Sequence, residues 1–260
     1  SIMKHYISLI TLLISSTFSY AQVGIGTSSP AGSSQLDVSS TTKGFLPPRM
    51  TTNQRDLILF PATGLQIYNT DNRAIETYTG TSGEWLTLGR GKSGSSKNTA
   101  LGVRTLNANT SGNENTAIGW FTLYDNTTGS YNTAVGRTPL YKNTSGSGNT
   151  ATGYSALFNN TTANNNTATG YQSLYLNTTG YKNNALGYLS LYNNTTGYDN
   201  IGIGNGALYS ISSTFGNVGI GQGAGDNYNG YNSVSIGWNA GGMGNGNDNI
   251  YIGTEAHYSS

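Results

Sequence analysis

Ten glycines set most of what this chain can fold into. Gly102, Gly119, Gly136, Gly153, Gly170, Gly187, Gly204 and Gly221 stand 17 residues apart, and Gly237 and Gly253 follow at intervals of 16. An asparagine precedes each of the first eight by four residues, from Asn98 through Asn217. A leucine follows each of the first seven by four, from Leu106 through Leu208. The consensus is N-T-A-x-G-x-x-x-L-Y-x-N-T-T-G plus two linking residues. A fixed period over ten copies marks a repeat architecture, in which stacked units bury a core that no single unit could bury.

Seventeen residues are too few for the helix pairs of helical repeats. Asn, Thr and Gly also rank low in helix propensity. The fold class is therefore all-β: a β-solenoid, each coil holding two short strands and two turns. The strand in every coil is Asn-Thr-Ala-x-Gly, which becomes Ile201-Gly202-Ile203, Val218-Gly219-Ile220, Val234-Ser235-Ile236 and Ile250-Tyr251-Ile252 in later copies. The two positions beside the small residue share one face. They are mostly β-branched and grow more apolar along the chain, so they are assigned to the interior. The "NTTG" segment supplies a side-chain-capped turn and a glycine for positive φ. Stacked in register, Asn and Thr side chains satisfy one another as ladders. Ten coils at the strand spacing make a rod of about 50 Å.

Composition agrees with stacking. Only 9% of the 260 residues are charged, and a charge repeated in every coil would stack like upon like. The 35% hydrophobic content and 37 glycines argue against an ordinary close-packed globule. Nineteen tyrosines and a net charge of +1 argue against disorder. The same near-neutral charge excludes a nucleic-acid partner, which would need clustered Lys and Arg. The chain has no cysteine, so it carries neither a disulfide nor a lipidated cysteine anchor.

Before the repeats, Lys4 and His5 lead into the apolar run Tyr6–Leu13 and the small-residue site Ser19-Tyr20-Ala21. That is the pattern of a secretory signal peptide, residues 1–21, cleaved after Ala21. The apolar run is short of the roughly 20 residues a membrane span needs, so no transmembrane segment is expected after cleavage. Residues 22–91 read as a small β domain. Its end is a meander of "GLQIY" (Gly64–Tyr68), "AIETY" (Ala74–Tyr78) and "EWLTL" (Glu84–Leu88). Residues 92–97 are a linker within a basic Gly-Ser stretch, and 98–260 form the repeat domain of about ten coils.

The tandem N-[TS]-[AV]-x-G copies, such as "NTAIG" at Asn115 and "NSVSIG" at Asn232, resemble the head repeats of trimeric autotransporter adhesins. Related repeats occur in phage and contractile-tail fibres. The segment "VGIGTSSP…LDV…TTKGFLPPRMTT…RD…PATGLQIYNTD" is similar to the N-terminal part of secreted bacterial tail-fibre-like proteins. The resemblance implies a left-handed β-roll, a homotrimer packed about a common axis, and a surface adhesin or fibre head of a Gram-negative-type bacterium. A phage-like or contractile-tail receptor-binding fibre is the alternative, against which the signal peptide counts. The adhesin family's coils are usually shorter than 17 residues.

Catalysis finds few candidates. After cleavage the chain has one histidine, His257, and Asp125, Asp199, Asp226 and Asp248 fall in or beside turns without a recurring pair. "GIGQGA" (Gly219–Ala224) lacks the βαβ unit of a dinucleotide site, and "GKS" at Gly91 lacks the first glycine of a phosphate loop. "MGNGNDNI" (Met243–Ile250) falls one glycine short of a calcium-roll repeat. No enzyme, cofactor or metal site is read from the chain.

Two aromatic rows are the candidate contact residues for a glycan or protein partner. Trp120, Tyr154, Tyr171, Tyr188 and Trp238 follow the repeat glycine. Tyr124, Tyr141, Phe158, Tyr175, Tyr192 and Tyr209 follow the repeat leucine. As structure, stacked rings cover a sheet edge and fill the contact between chains. As function, a row of rings gives weak, multivalent adhesion to sugars. A third class of function, ice binding, would use the ladder Thr99, Thr116, Thr133, Thr150 and Thr167, which is expected to point inward.

Overall fold

The computed structural model describes residues 23–31, 33–80, 85–89, 97–226, 230–242 and 246–256. The predicted signal peptide, most of the predicted linker, His257 and Met243 lie outside them. The chain divides into two compact units at Leu46/Pro47. In the first, β1 (Val23–Ile25) pairs in parallel with β2 (Leu36–Val38), and Asp37 Oδ2 accepts the Ala31 amide at 2.8 Å.

The second unit is one 14-stranded sheet. It starts with β3 (Arg49–Met50) and a short helix, α1 (Thr52–Asp56), closed by a capping box between Thr51 and Gln54. The meander follows as β4 (Gln66–Asn69), β5 (Ala74–Tyr78) and β6 (Trp85–Gly89). Glu76, fully buried on β5, ties α1 to the meander. Its carboxylate accepts from Arg55 at 2.7 Å, Asn69 at 3.1 Å and Asn72 at 2.6 Å. Burial works to lower the pKa of Arg55, but the hydrogen bonds to Glu76 and Asp56 prevail and raise it.

β6 pairs antiparallel with β7 (Thr99–Val103), so meander and repeats share one sheet. Parallel pairing then continues through β8 (Thr116–Trp120), β9 (Thr133–Arg137), β10 (Thr150–Thr152), β11 (Thr167–Thr169), β12 (Asn184–Leu186), β13 (Ile201–Ile203), β14 (Val218–Ile220), β15 (Val234–Ile236) and β16 (Ile250–Ile252). Register follows the repeat: Thr150 faces Thr133 and Thr167, and Val218 faces Val234. The predicted β-solenoid of 17-residue coils is the observed fold.

Two expectations about the coil are corrected. Each coil holds one strand rather than two. The other sides stack as turns through bonds such as Leu106 N–H to the Thr122 carbonyl at 3.0 Å and Thr110 N–H to that of Thr127 at 2.9 Å. The interior face is also the opposite one. Ala117, Ala134, Ala151 and Ala168 are fully buried, whereas Ile201 is half-buried and Ile250 and Ile252 are 71% and 67% exposed. The reason is volume. Leu106, Leu123, Leu140, Leu157, Leu174, Leu191 and Leu208 fill the coil centre, so the strand positions facing them have room only for Ala or Gly. A Cβ at Gly219 would lie 2.8 Å from Leu208 Cγ. The β-branched positions and the Thr99–Thr167 ladder therefore face outward, with Thr167 and Thr169 among them.

Two buried asparagine ladders satisfy the interior. In the first, each amide N–H binds the Oδ1 of the asparagine one coil back, as Asn132 does Asn115 at 2.9 Å, and Nδ2 donates to a carbonyl 14 residues on, as Asn132 does Gly146. In the second, Asn126, Asn143, Asn160, Asn177 and Asn194 each donate Nδ2 to the Oδ1 of the asparagine one coil back, starting at Asn109, at 2.8–2.9 Å. The apparent glycosylation sequons at Asn126 and Asn177 belong to this ladder, so the folded roll hides them. It ends at Ile211, which is fully buried where the next asparagine would stand and leaves Asn194 Oδ1 without a donor.

Candidate functional site: aromatic columns on the roll

One period along the chain is one coil up the stack, so a ring repeated every 17 residues lands above its predecessor. Tyr124, Tyr141, Phe158, Tyr175, Tyr192 and Tyr209 form a half-buried column with centroids 5.1–5.3 Å apart and interplanar angles of 17° or less. Burial raises the pKa of Tyr141 and of Tyr192, and Asp125 adds to the effect at Tyr141, so both phenols stay protonated at neutral pH.

The second column is more exposed. Tyr154, Tyr171 and Tyr188 stack at 5.1 and 5.2 Å and are 41%, 43% and 51% exposed. Arg137 continues the column, its guanidinium 5.8 Å from the Tyr154 ring and 4.4 Å from that of Trp120. Trp238 occupies the same repeat position but is separated from the column by Asn205 and Gln222. Trp120 meets Phe121 edge-on at 4.4 Å, and Phe121 lies 5.0 Å from Tyr124, so the columns merge at the first coils.

Rings stacked this way turn their faces to one another and present rims to solvent. A sugar that stacks on a flat face meets one at the column end, beyond Tyr188, where the next coil carries Asn205.

A third column, not anticipated above, consists of Tyr181, Tyr198, Phe215 and Tyr231, at 4.8–4.9 Å and 10° or less. Its signal is an aromatic two residues before Asn183, Asn200, Asn217 and Ser233. The same position in earlier coils is Ser130, Ser147 and Asn164, which hydrogen-bond coil to coil instead. The half-length of the aromatic run hides it from the consensus.

Among the described residues there is no helix long and apolar enough to cross a membrane. Residues 24–103, from β1 through β7, match the family model described as the phage tail-like trimerisation region. No curated protein and no solved structure matches the chain significantly. The stacked coils make this a β-solenoid protein, and the match of residues 24–103 to a phage tail-like trimerisation region supports a tail-fibre-like one.

Proposed function

We propose that the protein is the adhesive head of an extracellular fibre, secreted to the outer surface of a Gram-negative-type bacterium, and that it works as a homotrimer of the kind found in trimeric autotransporter heads. The observation that carries the adhesive reading is the exposed Tyr154–Tyr171–Tyr188 column on the roll. Weak contacts repeated along the ring rims gain affinity by multivalency. The match to a trimerisation region supports self-association.

The outward sheet face suits the contact between copies. Leu101, Ile118 and Val135 form one apolar run on it and Leu186, Ile203, Ile220 and Ile236 a second, with Thr152 and Thr169 between them; Leu186 is 51% and Ile203 38% exposed in the single chain. Apolar surface repeated over many coils marks an interaction site. Solution mass is expected to be that of a trimer. Leu186→Lys with Ile203→Lys is expected to give monomers with unchanged circular dichroism, since both side chains lie outside the coil. A monomeric wild-type protein would sink the trimeric reading. On a glycan array, Tyr171→Ala with Tyr188→Ala is expected to abolish binding, and undiminished binding would rule out the column.

A second reading, ice binding, gains from the outward Thr99, Thr116, Thr133, Thr150 and Thr167 ladder. It needs the face that a trimer would cover, so thermal hysteresis by a monomeric protein, lost when those threonines are replaced, would favour it.

A further inference from the structure

Charge on the roll is sorted along its length. Between 99 and 182 stand four cations, Arg104, Arg137, Lys142 and Lys182, against Glu114 and Asp125. Between 183 and 256 there is no cation against Asp199, Asp226, Asp248 and Glu255. In a chain with 9% charged residues this separation gives the two ends of the roll opposite fields.

The cations of the first coils are held by rings. Arg104 lies 5.4 Å from the Phe121 ring, Arg137 lies against Trp120 and Tyr154, and Lys142 lies 5.6 Å from Phe158 while donating to Asn159 Oδ1 at 3.0 Å. Both arginines are exposed, and neither forms an ion pair among the described residues. Asp125 influences the same phenol, Tyr141, as Arg104 does, yet pairs with neither arginine. A guanidinium lying over a ring keeps its N–H fork for a carboxylate or sulfate, which it grips through two bonds. Trp120 and Phe121, in edge contact with each other, join the two arginines that lie over them into one corner.

We propose that this corner, Arg104, Trp120, Phe121, Arg137 and Tyr154, is a binding site for acidic polysaccharide. The two guanidiniums take the anionic groups, and the ring rims between them pack against the sugar backbone. The acidic C-terminal coils repel the same polymer, so it engages the roll at its basic end.

This rests on the adhesive reading above and names its ligand class. The test measures binding of the purified full chain to immobilised polygalacturonate, heparin and dextran. Retention on the two anionic polymers, weakening with added salt, and none on neutral dextran is the expected result. Arg104→Ala with Arg137→Ala is expected to lower affinity about tenfold or more with unchanged circular dichroism. Arg137→Lys keeps the charge but loses the planar fork, and is expected to fall between the two. A preference for heparin over polygalacturonate assigns sulfate as the group read, and the reverse assigns carboxylate. Equal binding to dextran, or full affinity in the double variant, would overturn the proposal. So would a concentration-dependent rise in mass lost in the double variant, which would show that the basic end meets the acidic end of another copy. If no anionic polymer binds while Tyr171→Ala with Tyr188→Ala still abolishes glycan binding, this inference fails by itself; if neither holds, the adhesive reading fails with it.

Discussion

Replacing Gly153 by alanine is expected to cost more than about 3 kcal/mol of stability, enough to melt the middle of the roll. The backbone there has φ of +129°, a region that L side chains rarely adopt. A Cβ would lie 2.5 Å from the Gly170 carbonyl oxygen and 2.9 Å from its carbon. Those atoms belong to the next coil, held in register by the parallel pairing of β10 with β11, so neither partner can withdraw without opening the ladder. Gly206 provides the contrast. Its φ is +63°, but nothing lies within 4 Å of where its Cβ would be, so alanine there is expected to cost about 1–2 kcal/mol. Urea unfolding followed by circular dichroism separates the two. Equal losses would mean that the close approach of successive coils is not what demands glycine.

Asn149→Asp is expected to be as damaging, at about 3–5 kcal/mol, although it changes one atom. Asn149 Nδ2 donates to Asn132 Oδ1 at 3.1 Å and to the Ala163 carbonyl at 2.8 Å, in a fully buried ladder. A carboxylate would set an acceptor against both and bury a charge without a cation. Its oxygen could still accept from the Asn166 amide, as Asn149 Oδ1 does at 2.9 Å. The variant has a clear pH signature. Desolvation and the facing acceptors raise the folded-state pKa of the introduced carboxyl above its unfolded value. The folded state then binds the proton more tightly, so stability recovers as pH falls and is lost as pH rises through the folded pKa. Asn184→Asp, on the exposed outer face of β12, is expected to change stability by less than about 0.5 kcal/mol at any pH. A pH-independent loss at Asn149 would argue that the ladder is held by shape rather than by its donors.

The period of the roll was legible because a residue repeated every 17 positions must be repeated in space. The face of the strand was not. Hydrophobicity placed Ile201 and Ile203 inside, but the repeat leucines already fill the centre and leave room only for Ala185 or Gly202. Those leucines adopt φ near +50°, a conformation sequence patterns reserve for glycine or asparagine, held here by bonds such as Leu174 N–H to the Ser190 carbonyl at 3.0 Å. That bend turns a long apolar side chain inward from a turn, where alternation along a strand cannot reveal it. The aromatic rows were legible as rows, but their mutual stacking, and hence the scarcity of free ring faces, depends on a spacing near 5 Å that only the stacked coils supply.

The asparagine ladders carry a further consequence, for how such a fibre changes over generations. Each asparagine bonds its equivalent one coil away and carbonyls that recur with the same period, so a duplicated coil meets the same partners on both sides as the original. Gaining or losing a copy leaves the neighbours chemically unaltered and moves everything beyond it by about 4.8 Å. Between Asn109 and Asn194 the roll is thus a ruler whose length can be rewritten in whole steps. Beyond Ile211, where the second ladder stops and the coils shorten to 16 residues, copying no longer reproduces the same neighbours. Reach can vary in the first part of the roll while the far end stays one fixed design.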